Sequence, residues 1–152
     1  MKTLHISIDK KKVIEDVQLQ SAYIAAKAGE PAKFKDVAIN DYDEQWIKST
    51  FESCHVALSN ILSEYIVGTV CGEDVLEYIL EMPDNIHPQS EVNMNMAAAK
   101  FYIATILAEW LNMTMGREIA TGYMVDGANY LDLVRSNMHR RNKPIRRPLN
   151  PF

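Results

Sequence analysis

Cysteine, glycine and proline are all scarce in this chain, with two, six and six among 152 residues. Cys54 and Cys71 stand far apart, with no CxxC pair and no histidine at finger spacing, so neither a zinc site nor a disulfide finds support. They read as reduced thiols of a cytosolic product. The few glycines build none of the loops that cradle phosphates or carry a nucleophile: GxGxxG, the Walker loop and GxSxG are missing, as is HExxH. Also missing is a long apolar run. Met94 to Met115 comes nearest, but Lys100, Glu109 and several Asn and Thr interrupt it, which fits a buried helix and not a membrane span. The opening MKTLHISIDKKK lacks the apolar core of a signal peptide, so no export route is expected.

Acid is absent from the C-terminal stretch, where base gathers. Residues 135–152 (RSNMHRRNKPIRRPLNPF) hold six of the sixteen Lys and Arg and none of the twenty Asp and Glu, against ten basic and twenty acidic side chains before them. The pattern describes an acidic body over 1–140, read as one domain, followed by a basic, proline-punctuated arm over 141–152. Prolines 144, 148 and 151 hold that arm extended and stop a helix from continuing into it. The arm nominates Arg140, Arg141, Lys143, Pro144, Arg146, Arg147, Pro148 and Phe152 as partner-binding residues, the arginines for ion pairs and Phe152 as an apolar anchor. Its partner is an acidic protein groove, nucleic-acid phosphates or nothing.

In the body, Leu4, Ile6 and Ile8 alternate with polar residues as a half-buried strand does. Asp9 is placed to cap a helix running to about Ala28, with Val13, Val17, Tyr23 and Ile24 as a loose apolar face. Asp41 and Glu44 form a capping-box spacing ahead of the clearest amphipathic helix, whose stripe is Trp46, Ile47, Phe51, Cys54, Leu58, Ile61, Leu62 and Tyr65. Gly68 and Gly72 read as breaks. Residues 73–82 then alternate as a second strand, with Leu76, Tyr78, Leu80 and Met82 inward and Glu77 and Glu81 outward. Helices from about Gln89 to Met115 and from about Arg117 to Arg140 follow; Ile119, Tyr123, Tyr130, Leu131, Val134 and Met138 line the second, and Gly122 and Gly127 call for a helix packed closely against it. The expected fold is mainly α: a bundle of about four helices with a small two-stranded β element and an extended C-terminal arm.

Candidate chemistry is thin. Glu81, Asp84 and His87 cluster in a turn, where a metal or acid–base role competes with simple turn chemistry. Cys54 and His55 are adjacent, and neighbouring helix positions point about 100° apart, so they cannot act as nucleophile and base on one another. Glu118, Asp126 and Asp132 read as a solvated helix face, and the eight methionines as gap-fillers in the core. A pocket around Trp110, Tyr123 and Tyr130 is what a helical enzyme or ligand binder would need, but no convergent polar groups single it out. No catalytic, cofactor or metal residues are nominated.

The layout, together with EMPDNIHP at 81–88, AAAKFYIATILAEWLNM at 97–113 and the closing RRPLNPF, resembles small virion proteins of tailed phages and prophages of gut bacteria, within the wider class of head-to-tail connectors or neck adaptors. The resemblance implies a non-enzymatic structural subunit of the virion, assembled in the host cytoplasm. It would form a homo-oligomeric ring below the portal, touch portal and neighbouring neck or tail proteins, surround passing DNA and need neither cofactor nor membrane. A tail-completion or minor virion protein, or a nucleic-acid-binding module using the basic arm, are the alternatives.

Overall fold

The chain order is β1 (Lys2–Asp9), α1 (Lys10–Lys27), α2 (Glu44–Leu62), β2 (Ile66–Cys71), β3 (Val75–Met82), α3 (Ser90–Thr114) and α4 (Arg117–Met138). These come from a computed structural model in which residues 1–27, 38–39 and 43–143 are described. The four helices and the β element are those the sequence pattern implies. The sheet, however, has three antiparallel strands in the order β1-β3-β2, where two were expected.

Strand alternation does what its period of two requires. Leu4, Ile6 and Ile8 of β1 and Leu76, Tyr78, Leu80 and Met82 of β3 are buried, and the two strands pair from Lys2 opposite Met82 to Asp9 opposite Val75. The additional strand, β2, occupies the segment whose glycines read as breaks. Gly68 sits where the register with β3 shifts, the usual place for a glycine inside a strand. As the central strand, β3 has both edges paired and cannot accept an arm. The outer edge of β1 is partly occupied from α3: Asn95 Oδ1 accepts from the Ser7 N–H at 2.8 Å, and Asn95 Nδ2 donates to the His5 carbonyl at 2.9 Å.

The inner sheet face meets Val13 and Val17 of α1, Ile47, Phe51, Cys54, Leu58 and Leu62 of α2, and Met94, Phe101 and Tyr102 of α3 in one continuous core. Asp9 caps α1 as its position suggests, accepting from the Lys12 N–H at 3.3 Å. Tyr23, assigned to the inner face of α1, is 64% exposed. The buried line there is Val13, Val17, Ser21 and Ala25. Asp41 lies outside the described residues. Gly116, at φ 95°, turns the chain from α3 into α4 through a conformation that favours glycine. At Gly127 the helices approach closely: a Cβ there would stand 3.2 Å from Thr105 Oγ1. Gly122 instead faces open space and Ile119 is exposed; in the first turn of α4 the buried residue is Ala120, packed with Ala25 and Leu111.

Candidate functional site

Three lysines open α1. Lys10, Lys11 and Lys12 fill its first turn, which carries no acidic residue. Cations at the positive end of a helix dipole cost about 0.3–1 kcal/mol each, so their charge does not stabilise this helix. They are also three of only ten basic residues in the first 134. Successive helix positions are 100° apart, which fans the three side chains around the helix end and towards two different clefts.

Lys12 lines a cleft of about 790 Å³ between α1, α3 and α4, where Asp9, Asp16 and Asp126 face Lys12 and Lys100. Tyr123 and Tyr130 form its α4 wall, and the Lys100 ammonium lies 5.7 Å from the Tyr130 ring centre. Two of the three aromatic residues singled out in the sequence thus line one cleft. The third, Trp110, packs against Trp46 with ring centres 5.1 Å apart. Of the acidic residues read as a solvated face of α4, Asp126 lines the cleft, while Asp132 pairs with Arg135 at 3.2 Å.

Lys10 and Lys11 line the other cleft, about 960 Å³, together with Lys48 and His55 of α2 and the β2–β3 turn. That turn is tied to α1 twice: the Lys10 N–H donates to the Asp74 carbonyl at 2.9 Å and Lys10 Nζ to the Gly72 carbonyl at 3.1 Å. Glu15, Glu52, Glu73 and Asp74 also border this cleft, so its charge is mixed.

His55 marks the point where the surface connects with the core. Its Nδ1 lies 2.6 Å from the Tyr78 hydroxyl, which lies 2.9 Å from the Tyr102 hydroxyl. The His55 and Tyr78 rings are stacked, 25° apart. Both tyrosines are fully buried. Desolvation pushes the Tyr78 phenol up to about 12 and raises that of Tyr102 further, so both keep their protons at neutral pH. Ser59, one turn after His55, has a buried Oγ with no hydrogen-bond partner among the described residues. Cys54 is separate from this chain of hydroxyls. It lies in the core, and burial, with the Glu109 charge adding, pushes its thiol up to about 12, so it is no nucleophile. Sequence reasoning set His55 aside together with Cys54; the partner that positions it is 23 residues away on another element.

The remaining sequence candidates have structural occupations. Asp84 lies 3.0 Å from the Met1 amine, and His87 Nδ1 accepts from the Gln89 N–H at 3.1 Å. Among the described residues no three His, Cys, Asp or Glu side chains converge as a metal site, and no helix is long and apolar enough to cross a membrane. Of the arm, Arg140 is exposed and Arg141 is engaged by its own chain, with Nη1 on the Met138 carbonyl at 2.8 Å and Nη2 on the Tyr65 hydroxyl at 3.2 Å. Residues 140–142 run beside the 85–87 turn, the His87 N–H donating to the Arg140 carbonyl at 3.1 Å and the Asn142 N–H to the Asn85 carbonyl at 2.8 Å. Lys143 is exposed. Pro144, Arg146, Arg147, Pro148 and Phe152 lie outside the described residues.

Comparison with known proteins corrects the functional expectation. The chain is 28% identical over 120 residues to "Putative type II restriction enzyme HgiDII" from Herpetosiphon aurantiacus, an alignment taking in 72% of this chain and 19% of that protein. The chain therefore spans about a fifth of that relative's length. No family model matches the chain, and no solved structure does. The likeness is to a protein named as a restriction enzyme, and it overturns both the expected structural virion subunit and the expectation that no enzyme is involved. The resemblance behind those expectations rested on layout and short strings. Layout of this kind follows from helix and strand periodicity, which unrelated small helical proteins share.

Proposed function

We propose that this chain is a DNA-directed segment of a restriction-type nuclease and that it meets the sugar–phosphate backbone with the lysine-bearing first turn of α1 and the cleft beside it. The observation that carries the reading is the likeness to a restriction enzyme over most of the chain. The lysine turn adds a physical place for it. Backbone N–H groups and the dipole at a helix start favour an anion, and Lys10, Lys11 and Lys12 add charge where the helix itself gains nothing from it. Lys48 and His55 stand on the facing wall of the cleft. The acidic body repels DNA, which draws contact to the places where basic side chains gather, this turn among them.

Phosphate binding is the chemistry these side chains support directly. Nucleases that employ divalent ions hold them between converging carboxylates, and the described residues present no such convergence. DNA cleavage is accordingly proposed for the nuclease to which the segment contributes.

Titrating the protein into a fluorescein-labelled duplex at several salt concentrations, with anisotropy as readout, tests the reading. Two or three phosphate contacts give a log–log salt slope of about −2 to −3, and replacing Lys10 and Lys11 with Ala reduces that slope by about 2. Parallel incubation with supercoiled plasmid and Mg²⁺ shows whether this segment nicks DNA by itself. Absence of duplex binding at low salt, or binding indifferent to the lysines, would overturn the assignment.

A further inference from the structure

Hydrogen bookkeeping along the Tyr102, Tyr78 and His55 chain leads one step beyond the cleft. The two links, 2.9 Å and 2.6 Å, admit three polarities; the one in which both His55 and Tyr102 donate leaves the single Tyr78 hydrogen without an acceptor among the described residues, and two remain. In one, His55 Nδ1–H donates to Tyr78 and Tyr78 donates to Tyr102. The Tyr102 hydrogen is then left in the core, where no acceptor is found for it among the described residues. In the other, Tyr102 donates to Tyr78 and Tyr78 donates to the Nδ1 lone pair, so every hydrogen has an acceptor. An unmade hydrogen bond inside a core is the costlier fault, so the second polarity wins.

That polarity fixes the imidazole. With Nδ1 accepting, the proton of the neutral ring sits on Nε2, on the opposite side from Tyr78. The ring is half-buried and lines the lysine cleft. We propose that His55 presents an Nε2–H to this cleft as a hydrogen-bond donor for a phosphodiester oxygen, and that Tyr78 and Tyr102 are positioning residues that lock its tautomer. The proposal rests on the cleft being the phosphate seat. Lysines attract a phosphate from any direction, as point charges. A fixed N–H adds direction, so His55 sets where along the cleft the phosphate stops.

Long-range ¹H–¹⁵N spectra of the intact chain, at a pH where the ring is neutral, read the tautomer without any substitution. The expected spectrum shows a single His55 form with Nδ1 unprotonated, and titration with dimethyl phosphate moves the Nε2 resonance. In Tyr78→Phe the tautomers mix, and duplex binding weakens about tenfold, the loss of one directed bond to a charged oxygen. Tyr102→Phe, which spares the link to His55, shows a smaller mixing. A wild-type His55 protonated on Nδ1, or an Nε2 resonance unmoved by dimethyl phosphate, overturns the proposal even where Lys10 and Lys11 still govern duplex binding. Conversely, a dimethyl phosphate response at His55 without any duplex binding upholds the donor and removes DNA as its ligand.

Discussion

At the residue scale the buried hydroxyl and thiol groups make a prediction about alkaline pH. Cys54 and Tyr78 are each pushed up to about 12 in the fold, from ordinary values of 9.0 and 10.0. Between the ordinary and the raised value the folded chain keeps a proton that the unfolded chain has lost. Stability is therefore complete below pH 9 and falls as pH rises from there to about 12, by about 1.4 kcal/mol per pH unit for each group engaged. Urea denaturation midpoints measured across this range should decline. Cys54→Ala, whatever it does to absolute stability, should remove one proton's share of the slope; an unchanged slope would contradict the burial assigned to this thiol. These same residues show what local spacing reveals and what it hides. That Cys54 is a core residue was legible from its place on the α2 stripe. That His55 is held by Tyr78 was not, because the contact joins α2 to β3 and no periodicity within either element encodes it.

At the element scale the regular segments were legible wherever burial is one-sided. β1 and β3 alternate because one face of the sheet is covered, and α2 repeats every three or four residues because one side meets that face. β2 escaped because its partner lies along its edge and not beneath it. Val67 and Val70 are exposed, leaving no alternation to read, and the strand exists through its backbone pairing with β3. The glycines of α4 are a sharper case. Both suggest close packing in the sequence, yet only at Gly127 would an added Cβ meet a neighbour, Thr105 Oγ1 at 3.2 Å. Gly122→Ala should stabilise the protein by about 0.5–1 kcal/mol through helix propensity and the lost freedom of the unfolded chain. Gly127→Leu should destabilise it by about 1–3 kcal/mol through overpacking against α3. Thermal melts of the two variants check this pair, and equal shifts of the same sign would refute the packing described.

At the scale of the whole molecule, charge organises the account. Twenty acidic side chains are set against ten basic ones before residue 135, and three of those ten are consecutive at the start of α1. The sequence displayed the lysine run openly, but only the fold shows that it stands between two clefts, with Lys48 and His55 across one of them. The measurement that bears most directly on this is a backbone amide shift map of the ¹⁵N-labelled protein titrated with a short DNA duplex. The largest shifts are expected at Lys10–Lys12, in the β2–β3 turn and around Lys48 and His55, fading as salt is raised. No shifts at all, or shifts gathered on the outer edge of β2 or the outer faces of α3 and α4, would contradict it.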